Sequence, residues 1–255
     1  MNMKIAGTGC VGAGEYDKIE IYGCGNSEGF IRCKEFDCAG AFSGNSDIEC
    51  EGEISVSGSF SNSGAVKAKV FDVSGSAKNG SIYADEIEVS GTFTVNGDCI
   101  SSKEAEISGA LKVEGNLKAA KIEVDGGLKI KGDVEAENAE INGGISCGGL
   151  INAEELYIGI SNIRDSKAES IGGSKITVEN NGRNRFFGFF SGRKKNFFNV
   201  SESIEGDEIN IEYTRAKTVS GRNVVIGDFC EIDLVQYTEN AEISTKARVK
   251  KCEKI

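Results

Sequence analysis

Nine cysteines are the residues of this 255-residue chain with the widest chemistry, because thiols can bind metals or undergo redox reactions. They are Cys10, Cys24, Cys33, Cys38, Cys50, Cys99, Cys147, Cys230 and Cys252, and none belongs to a CxxC pair. Histidine, the other common zinc ligand, is absent from the chain. Free cysteine also packs as a small apolar core residue. We therefore expect core packing and no metal site, with Cys33 and Cys38 buried and reduced.

Carboxylates are the remaining candidates for catalysis. Histidine is the commonest general base, so its absence excludes the usual chemistry of acyltransferases and carbonic anhydrases built on β-helices. Acids such as Glu104, Glu106, Asp125, Glu135 and Glu137 alternate with apolar residues. This alternation predicts outward carboxylates on a solvated face. We expect no enzymatic activity, no catalytic residue and no cofactor.

A basic aromatic segment interrupts an otherwise acidic chain of formal net charge −11. Residues 183–199 hold six phenylalanines and five cations without one acid. Three interpretations stay open: packing on the rest of the protein, contact with an anionic membrane surface, or binding of a partner. The acidic balance elsewhere disfavours nucleic acid. The candidate contact residues are Arg185, Phe186, Phe187, Phe189, Phe190, Arg193, Lys194 and Lys195.

The elements that position these residues repeat with a nearly fixed period. A small-residue file recurs at steps of 18, 17, 17 and 17 residues, and it comprises Ala84, Ser102, Ala119, Ala136 and Ala153. A first apolar file follows three residues later: Ile87, Ala105, Ile122, Ala139 and Leu156. A second apolar file comes two residues further on: Val89, Ile107, Val124, Ile141 and Ile158. Glycines follow as Gly91, Gly109, Gly126 and Gly143. Such a period indicates a solenoid.

Three short runs of alternating apolar residues in each repeat favour strands over helices. We predict an all-β fold, a right-handed parallel β-helix of triangular section with about 17 residues per coil. Aromatic residues make up 7% of the chain, so we expect a thin interior of Ile, Val, Leu and Ala.

The repeat can be followed in both directions from this core. We predict about ten coils in a main β-helix at 1–182, an insert at 183–199, and about three further coils with a basic tail at 200–255. The glycine-rich start, Gly7 to Gly14, is expected to form a cap or arm, and Lys250 to Lys254 a polar tail.

The segment EGDEINIEYTRAKTVSGRNVVIGDFCEIDLVQY, residues 205–237, together with the I-x-V-x-G coils, resembles the bactofilins. Within that family the chain looks like the longer Firmicutes branch of polymer-forming cytoskeletal proteins. The resemblance implies a triangular right-handed β-helix that stacks end to end into nonpolar filaments. It also implies roles in cell shape, in positioning envelope machinery, or in motility. The membrane-targeting peptide frequent at the N-terminus of the family is not recognisable here.

Two functions follow as expectations. In the first, the chain is a scaffold that polymerises with itself through its end coils, because exposed strand edges pair readily. The candidate contacts are Ile19 and Ile21 at one end, and Phe229, Ile232 and Ile243 near the other. In the second, it is a monomeric or closed-oligomer adaptor recruited to a membrane by the Phe-basic segment.

Localisation follows from the absence of two signals. Neither a run of 18 apolar residues nor a signal peptide is recognisable. We expect a cytoplasmic protein, with the inner face of the membrane as a further contact.

Overall fold

Regular alternation of apolar and polar residues gives strands throughout the chain. The structure, a computed structural model, describes residues 1–160, 166–180 and 196–255. These residues form two compact units: Met1–Lys121 with Lys129–Gly132, and Ile122–Leu128 with Asp133–Ile255. All regular elements of the described residues are strands, and they pair in parallel. The predicted fold class, an all-β parallel β-helix with a spacing of about 17 residues, is confirmed.

The first unit contains short strands, three runs to a turn. They are β1 Asn2–Ile5, β2 Thr8–Cys10, β3 Gly14–Ile21, β4 Cys24–Ser27, β5 Ile31–Cys38, β6 Ala41–Gly44, β7 Ile48–Cys50, β8 Glu53–Val56, β9 Ser59–Asn62, β10 Val66–Lys67, β11 Val70–Val73, β12 Ser76–Asn79, β13 Ile82–Val89, β14 Thr92–Val95, β15 Cys99–Ile107, β16 Ala110–Val113 and β17 Leu117–Lys118.

Two stacked files of apolar side chains run through the first unit. The second apolar file occurs seven times here, as Ile5, Ile21, Cys38, Val56, Val73, Val89 and Ile107, and all seven are buried. Ile87 of the first apolar file pairs with Phe71 and Ala105 on the flanking turns and is also buried. The predicted inward register is therefore confirmed, and the unit has seven turns.

Phenylalanines fill more of this interior than the sequence predicted. Phe36, Phe42, Phe60, Phe71 and Phe93 are all buried, with ring centroids 5.0 to 6.1 Å apart in consecutive pairs. The expected interior of Ile, Val, Leu and Ala is thus wrong for this unit. Small residues on neighbouring turns explain the fit, since Phe42 stacks on Gly25 and Phe93 on Ala77. A large ring next to a small neighbour keeps the core close-packed.

The second unit contains longer strands. The strands β18 Lys121–Val124 and β19 Gly127–Ile130 hold residues of both units. The others are β20 Val134–Ile141, β21 Gly144–Cys147, β22 Leu150–Ile160, β23 Ser166–Ala168, β24 Ser170–Asn180, β25 Phe198–Val200, β26 Ser203–Ile211, β27 Thr214–Ile226, β28 Glu231–Ile243 and β29 Arg248–Lys254.

The same two files organise the second unit. The second apolar file comprises Val124, Ile141, Ile158, Val178, Ile211, Ile226 and Ile243, one residue for each of seven turns. The first six are buried, as are Ile122 and Leu156 of the first apolar file. Predicted and observed registers agree in this unit as well.

Glycine is required where the chain turns after the second apolar file. A Cβ built on Gly109 would overlap the carbonyl oxygen of Gly91 one turn earlier, and one on Gly143 would overlap that of Gly126. The corners of successive turns stack closely there, so only a residue without a Cβ fits. The predicted glycine file has this physical cause.

The small-residue file needs one correction. Ala84 pairs with Ser101, and the register then shifts before Glu86 pairs with Glu104. Ser101 is buried, whereas Ser102 is exposed. The prediction of Ser102 in this file is therefore wrong, because the 18-residue step contains an extra residue that bulges outward.

Both ends of the chain are more regular than predicted. The glycine-rich start, Gly7 to Gly14, contains β2, which pairs with β4, and it follows β1, which pairs with β3. It therefore belongs to a further turn and is not an arm. Lys250 to Lys254 lie in β29, which pairs with β28 from Glu231↔Arg248 to Tyr237↔Lys254. These residues form a strand and not a tail.

Candidate functional site: the end turns

The first turn of the solenoid comes one turn before Ile19 and Ile21, the residues predicted for the N-terminal end. Ile19 pairs with Met3 on one side and with Phe36 on the other, and Ile21 pairs with Ile5 and Cys38. Both isoleucines have 0% exposure. Their predicted place on the first coil is wrong, because β1 adds a turn that the glycine-rich sequence did not suggest.

Inward side chains of that first turn are themselves largely covered. Ile5, Val11 and Tyr16 are buried, and Met3 is half-buried. The hydroxyl of Tyr16 donates to the carbonyl oxygen of Gly12 at 3.0 Å, so this ring lies across the turn. Asp17 forms two ion pairs at this end of the chain, because its carboxylate lies 2.6 Å from both the Lys34 ammonium and the amino group of Met1. These contacts lower the pKa of Asp17 to about 2, with Lys34 the larger cause.

The last turn exposes side chains that earlier turns bury. Ile243 belongs to the second apolar file and is 40% exposed, whereas Ile226, one turn earlier, is 0% exposed. Cys252 pairs with the buried Val235 and is nevertheless exposed. Val249 and Ala241 are half-buried on the same turn. This end therefore presents an apolar surface made of core-type residues, which we call the C-terminal end face: Ala241, Ile243, Val249 and Cys252.

Ile232 lies one turn inside this face. It is 1% exposed and pairs with Ala216 on one side and Val249 on the other. β29 therefore covers Ile232. The prediction that Ile232 lies on the last turn is wrong by one turn. Ile243 is the one predicted candidate that the structure places on the end face.

Phe229 lies on an outer corner and contacts residues of its own unit. Its ring centroid is 5.0 Å from that of Tyr213, and the Lys246 ammonium lies 5.7 Å from it. Phe229 and Tyr213 have φ values of 61° and 48°, in the left-handed region that strains residues with a Cβ. Phe197 extends this ladder, 6.3 Å from Tyr213, with the Arg215 guanidinium 3.8 Å from its ring centroid.

Cations surround the C-terminal end face. Lys246 lies 2.6 Å from Asp228, which raises the pKa of the lysine through a hydrogen bond and Coulomb attraction. Lys250 lies 2.7 Å from Asp233. In β29 itself, Arg248, Lys250, Lys251 and Lys254 accompany a single acid, Glu253. An apolar surface with a charged rim is the usual composition of a protein–protein contact.

The Phe-basic candidates fall outside the described residues. Arg185, Phe186, Phe187, Phe189, Phe190, Arg193, Lys194 and Lys195 all lie within 181–195, a range that the structure does not describe. Membrane or partner contact through them stays a prediction.

Six of the nine cysteines are buried: Cys33, Cys38, Cys50, Cys99, Cys147 and Cys230. Core packing is thus confirmed for these six, including Cys33 and Cys38. Cys10, Cys24 and Cys252 are exposed, so the expectation is wrong for them. Cys10 and Cys24 occupy outward strand positions, and Cys252 faces inward on a turn that nothing described covers.

Two stacked pairs escaped the sequence analysis. Cys33 pairs with Cys50, and Asn62 with Asn79, each on adjacent turns. Both spacings equal the 17-residue period, and that equality is the signal that could have revealed them. Asn62 and Asn79 are buried, with amide atoms that lack hydrogen-bond partners among the described residues.

Neither a metal-binding cluster nor a membrane-spanning helix is present in the described parts of the chain. No group of three or more Cys, Asp or Glu side chains there could hold a metal ion. Within the same residues, no helix is long and apolar enough to cross a membrane.

Comparison with known proteins supports a cytoskeletal family in general terms. Residues 42–135 match the family model of the bactofilins, which is described as polymer-forming cytoskeletal. The resemblance to the bactofilins is confirmed. The bactofilin match lies on the glycine-spaced coils, whereas segment 205–237, which suggested the family, lies outside it.

Two curated relatives share parts of this sequence. The chain is 33% identical over 101 residues to the uncharacterized protein YhbF of Bacillus subtilis, which is 40% of each chain. It is 39% identical over 56 residues to the uncharacterized protein YhbE of the same organism, 22% of this chain and 24% of YhbE. The chain thus spans about two fifths of YhbF and about a quarter of YhbE. No solved structure matches it.

Proposed function

We propose that this chain is a cytoskeletal scaffold that polymerises through the end turns of its β-solenoid. The observation that carries the proposal is the exposure of Ile243, a core-file residue, next to the half-buried Val249 and Ala241 on the last turn. The family description of the bactofilin match supports it. Burying such a face against another copy removes apolar surface from water, at about 25 cal/mol per Å².

Unpaired strand edges can add backbone hydrogen bonds to the contact between copies. β29 pairs with β28, and β1 pairs with β3, and neither has a second partner strand among the described residues. Backbone N–H and C=O groups on such edges can pair with another chain. A contact that joins the C-terminal end of one copy to the N-terminal end of the next is heterologous, and it extends into a filament where it does not close into a ring. The nonpolar filaments that the resemblance implies would instead alternate contacts between like ends. The C-terminal end face takes part in either arrangement.

Within this proposal the polymer positions other machinery and catalyses nothing. We assign it to the cytoplasm, where it would organise envelope, cell-shape or motility components. The Phe-basic segment, residues 183–199, would provide peripheral contact with the inner membrane surface. No catalytic residue is part of the mechanism.

Electron microscopy and sedimentation of the purified protein test the scaffold. We expect filaments for the parent chain and their loss in Ile243→Asp, because the acid would meet the neighbouring copy without water. The matched control is Tyr83→Asp: Tyr83 is 41% exposed, but it faces outward from β13 in the first unit. We expect that control to polymerise.

Two outcomes would contradict the scaffold. A parent chain that remains a monomer or a closed oligomer would favour the adaptor function instead. Filaments that survive Ile243→Asp as well as they survive Tyr83→Asp would remove the C-terminal end face from the assembly.

A further inference from the structure

Two buried cysteines are stacked on adjacent turns of the first unit. Cys33 in β5 pairs in register with Cys50 in β7, and their exposures are 1% and 5%. Neighbouring strands lie about 4.8 Å apart, which falls within the Cα separations of about 4.4 to 6.8 Å that disulfides span. Among the described strands, no other two cysteines are register partners.

The ladder next to Cys50 is irregular. Cys33 and Cys50 are 17 residues apart, but the next pair in the same strands, Phe36↔Ile54, is 18 apart. One extra residue therefore follows Cys50, which is the last residue of β7. The extra residue disrupts the ladder locally at this strand end. A disulfide between Cys33 and Cys50 would therefore lie at an irregular place in the ladder.

The two thiols also influence each other's ionisation. The neighbouring Cys50 side chain is the largest cause that raises the pKa of Cys33, and the Cys33 side chain is the largest cause that lowers the pKa of Cys50. In its protonated form Cys50 donates to the carbonyl oxygen of Lys34 or Glu53, each 3.3 Å from its sulfur. The Cys50 sulfur is thus held by backbone carbonyl groups at the end of β7.

A surface groove gives access to one of the two sulfur-bearing residues. Cys50 lines a groove of about 460 Å³ together with Arg32, Lys67, Lys69, Glu49 and Glu51. Cys33 does not line it. A molecule the size of water or a peroxide can therefore approach Cys50 from the groove, whereas Cys33 is 1% exposed and is not part of the lining.

We propose that Cys33 and Cys50 form a peroxide-oxidisable dithiol that closes to a disulfide between two turns. The Cys50 thiolate attacks one oxygen of hydrogen peroxide, the O–O bond breaks, and the departing hydroxide takes a proton and leaves as water. Cys50 is then a sulfenic acid. The Cys33 thiol sulfur attacks the Cys50 sulfur, the S–O bond breaks, and the departing hydroxide takes the Cys33 thiol proton and leaves as a second water. Two thiols are oxidised and one peroxide is reduced.

Oxidation of the full chain, followed by mass spectrometry, tests this inference. The background carries Cys10→Ser, Cys24→Ser and Cys252→Ser, which removes the exposed thiols. After treatment with equimolar hydrogen peroxide, we expect the intact mass to fall by two hydrogens. Non-reducing peptide mapping should place the bond between residues 33 and 50, and a reducing agent should restore the mass.

Single substitutions distinguish Cys50, which reacts with the peroxide, from Cys33, which then forms the disulfide. In Cys33→Ser we expect Cys50 to stop at the sulfenic acid, which dimedone traps. In Cys50→Ser we expect no dimedone adduct at Cys33. Cys38→Ser is the matched control, because Cys38 is equally buried and its register partners are Ile21 and Val56. That variant should still form the bond.

Several results would overturn the proposal. They are a background protein that keeps all six buried thiols after peroxide, a bond that joins other cysteines, or oxidation of Cys50 to the sulfinic acid without pairing. Mapping on the background protein decides the matter even where a serine variant fails to fold.

Discussion

Ile226 and Ile243 occupy the same inward file one turn apart, and only the second is exposed. Their Cα atoms are register partners between β27 and β28, yet Ile226 is 0% and Ile243 40% exposed. The side chain that would cover Ile243 belongs to no described turn of this chain. A residue with a core pattern at a solvent-accessible position marks a surface that another molecule can cover.

A matched pair of substitutions in this file should differ strongly in their effect on stability. Ile226→Asp would place an unpaired charge in a dry core, at a cost of several kcal/mol. Ile243→Asp would leave the charge in water, and we expect an unfolding midpoint close to that of the parent. Val124→Asp, with Val124 1% exposed in the same file, should behave like Ile226→Asp. Thermal unfolding followed by circular dichroism measures all three. Equal midpoints for the two isoleucine variants would contradict the register.

Two alanines in one file should tolerate enlargement differently. Ala136 pairs with Ala153, but Ala136 is half-buried whereas Ala153 is 1% exposed. We expect Ala153→Leu to lower the free energy of unfolding by about 1–3 kcal/mol through overpacking. Ala136→Leu should cost less, because its side chain can extend into solvent. Chemical denaturation of both variants provides the comparison, and a larger loss for Ala136→Leu would show that the file is drawn wrongly.

Thiol labelling should divide the cysteines by burial. Cys10 and Cys24 are exposed, whereas Cys33 and Cys38 have 1% and 0% exposure. A bulky maleimide should modify the first two quickly in the folded protein and the last two only after denaturant is added. Burial also raises the pKa of Cys38 to about 12, which leaves almost no reactive thiolate at neutral pH. Rapid modification of Cys38 without denaturant would exclude its place in the second apolar file.

The first turn should weaken in acid because of Asp17. The pKa of this carboxyl is lowered from 3.8 to about 2, chiefly by Lys34 and then by the Met1 amino group. A lowered pKa in the folded state means that the charged pair stabilises the fold fully above pH 3.8. That contribution is lost as the pH falls through about 2. Carboxyl titration by NMR should give the low pKa, and amide exchange in β1 should increase over the same range. Asp17→Asn should abolish this step, and a normal pKa for Asp17 would contradict the ion pair.

Part of this structure followed directly from the spacing of residue types. The files through Val89 and Ile87, and the glycines after them, recur at 17 or 18 residues, and inward residues of parallel turns must stack at the coil period. The bulge that puts Ser101 and not Ser102 in the small-residue file could not be predicted, because an 18-residue step does not show where its extra residue lies. The phenylalanine interior was also missed, because composition gives the number of aromatic residues and not which of them stack beside Gly25 or Ala77.

The sequence by itself determined the period, the strand type and the inward files, because these depend on local alternation and on repetition along the chain. Tertiary structure decided which turn is last. Ile21 and Ile243 carry the same apolar pattern, but pairing with β1 and β5 buries the first, while the absence of a further described turn exposes the second. It also decided that Cys33 meets Cys50 beside a groove while Cys38 meets no cysteine. Such differences arise from which neighbours cover a residue, and coverage depends on the register between turns.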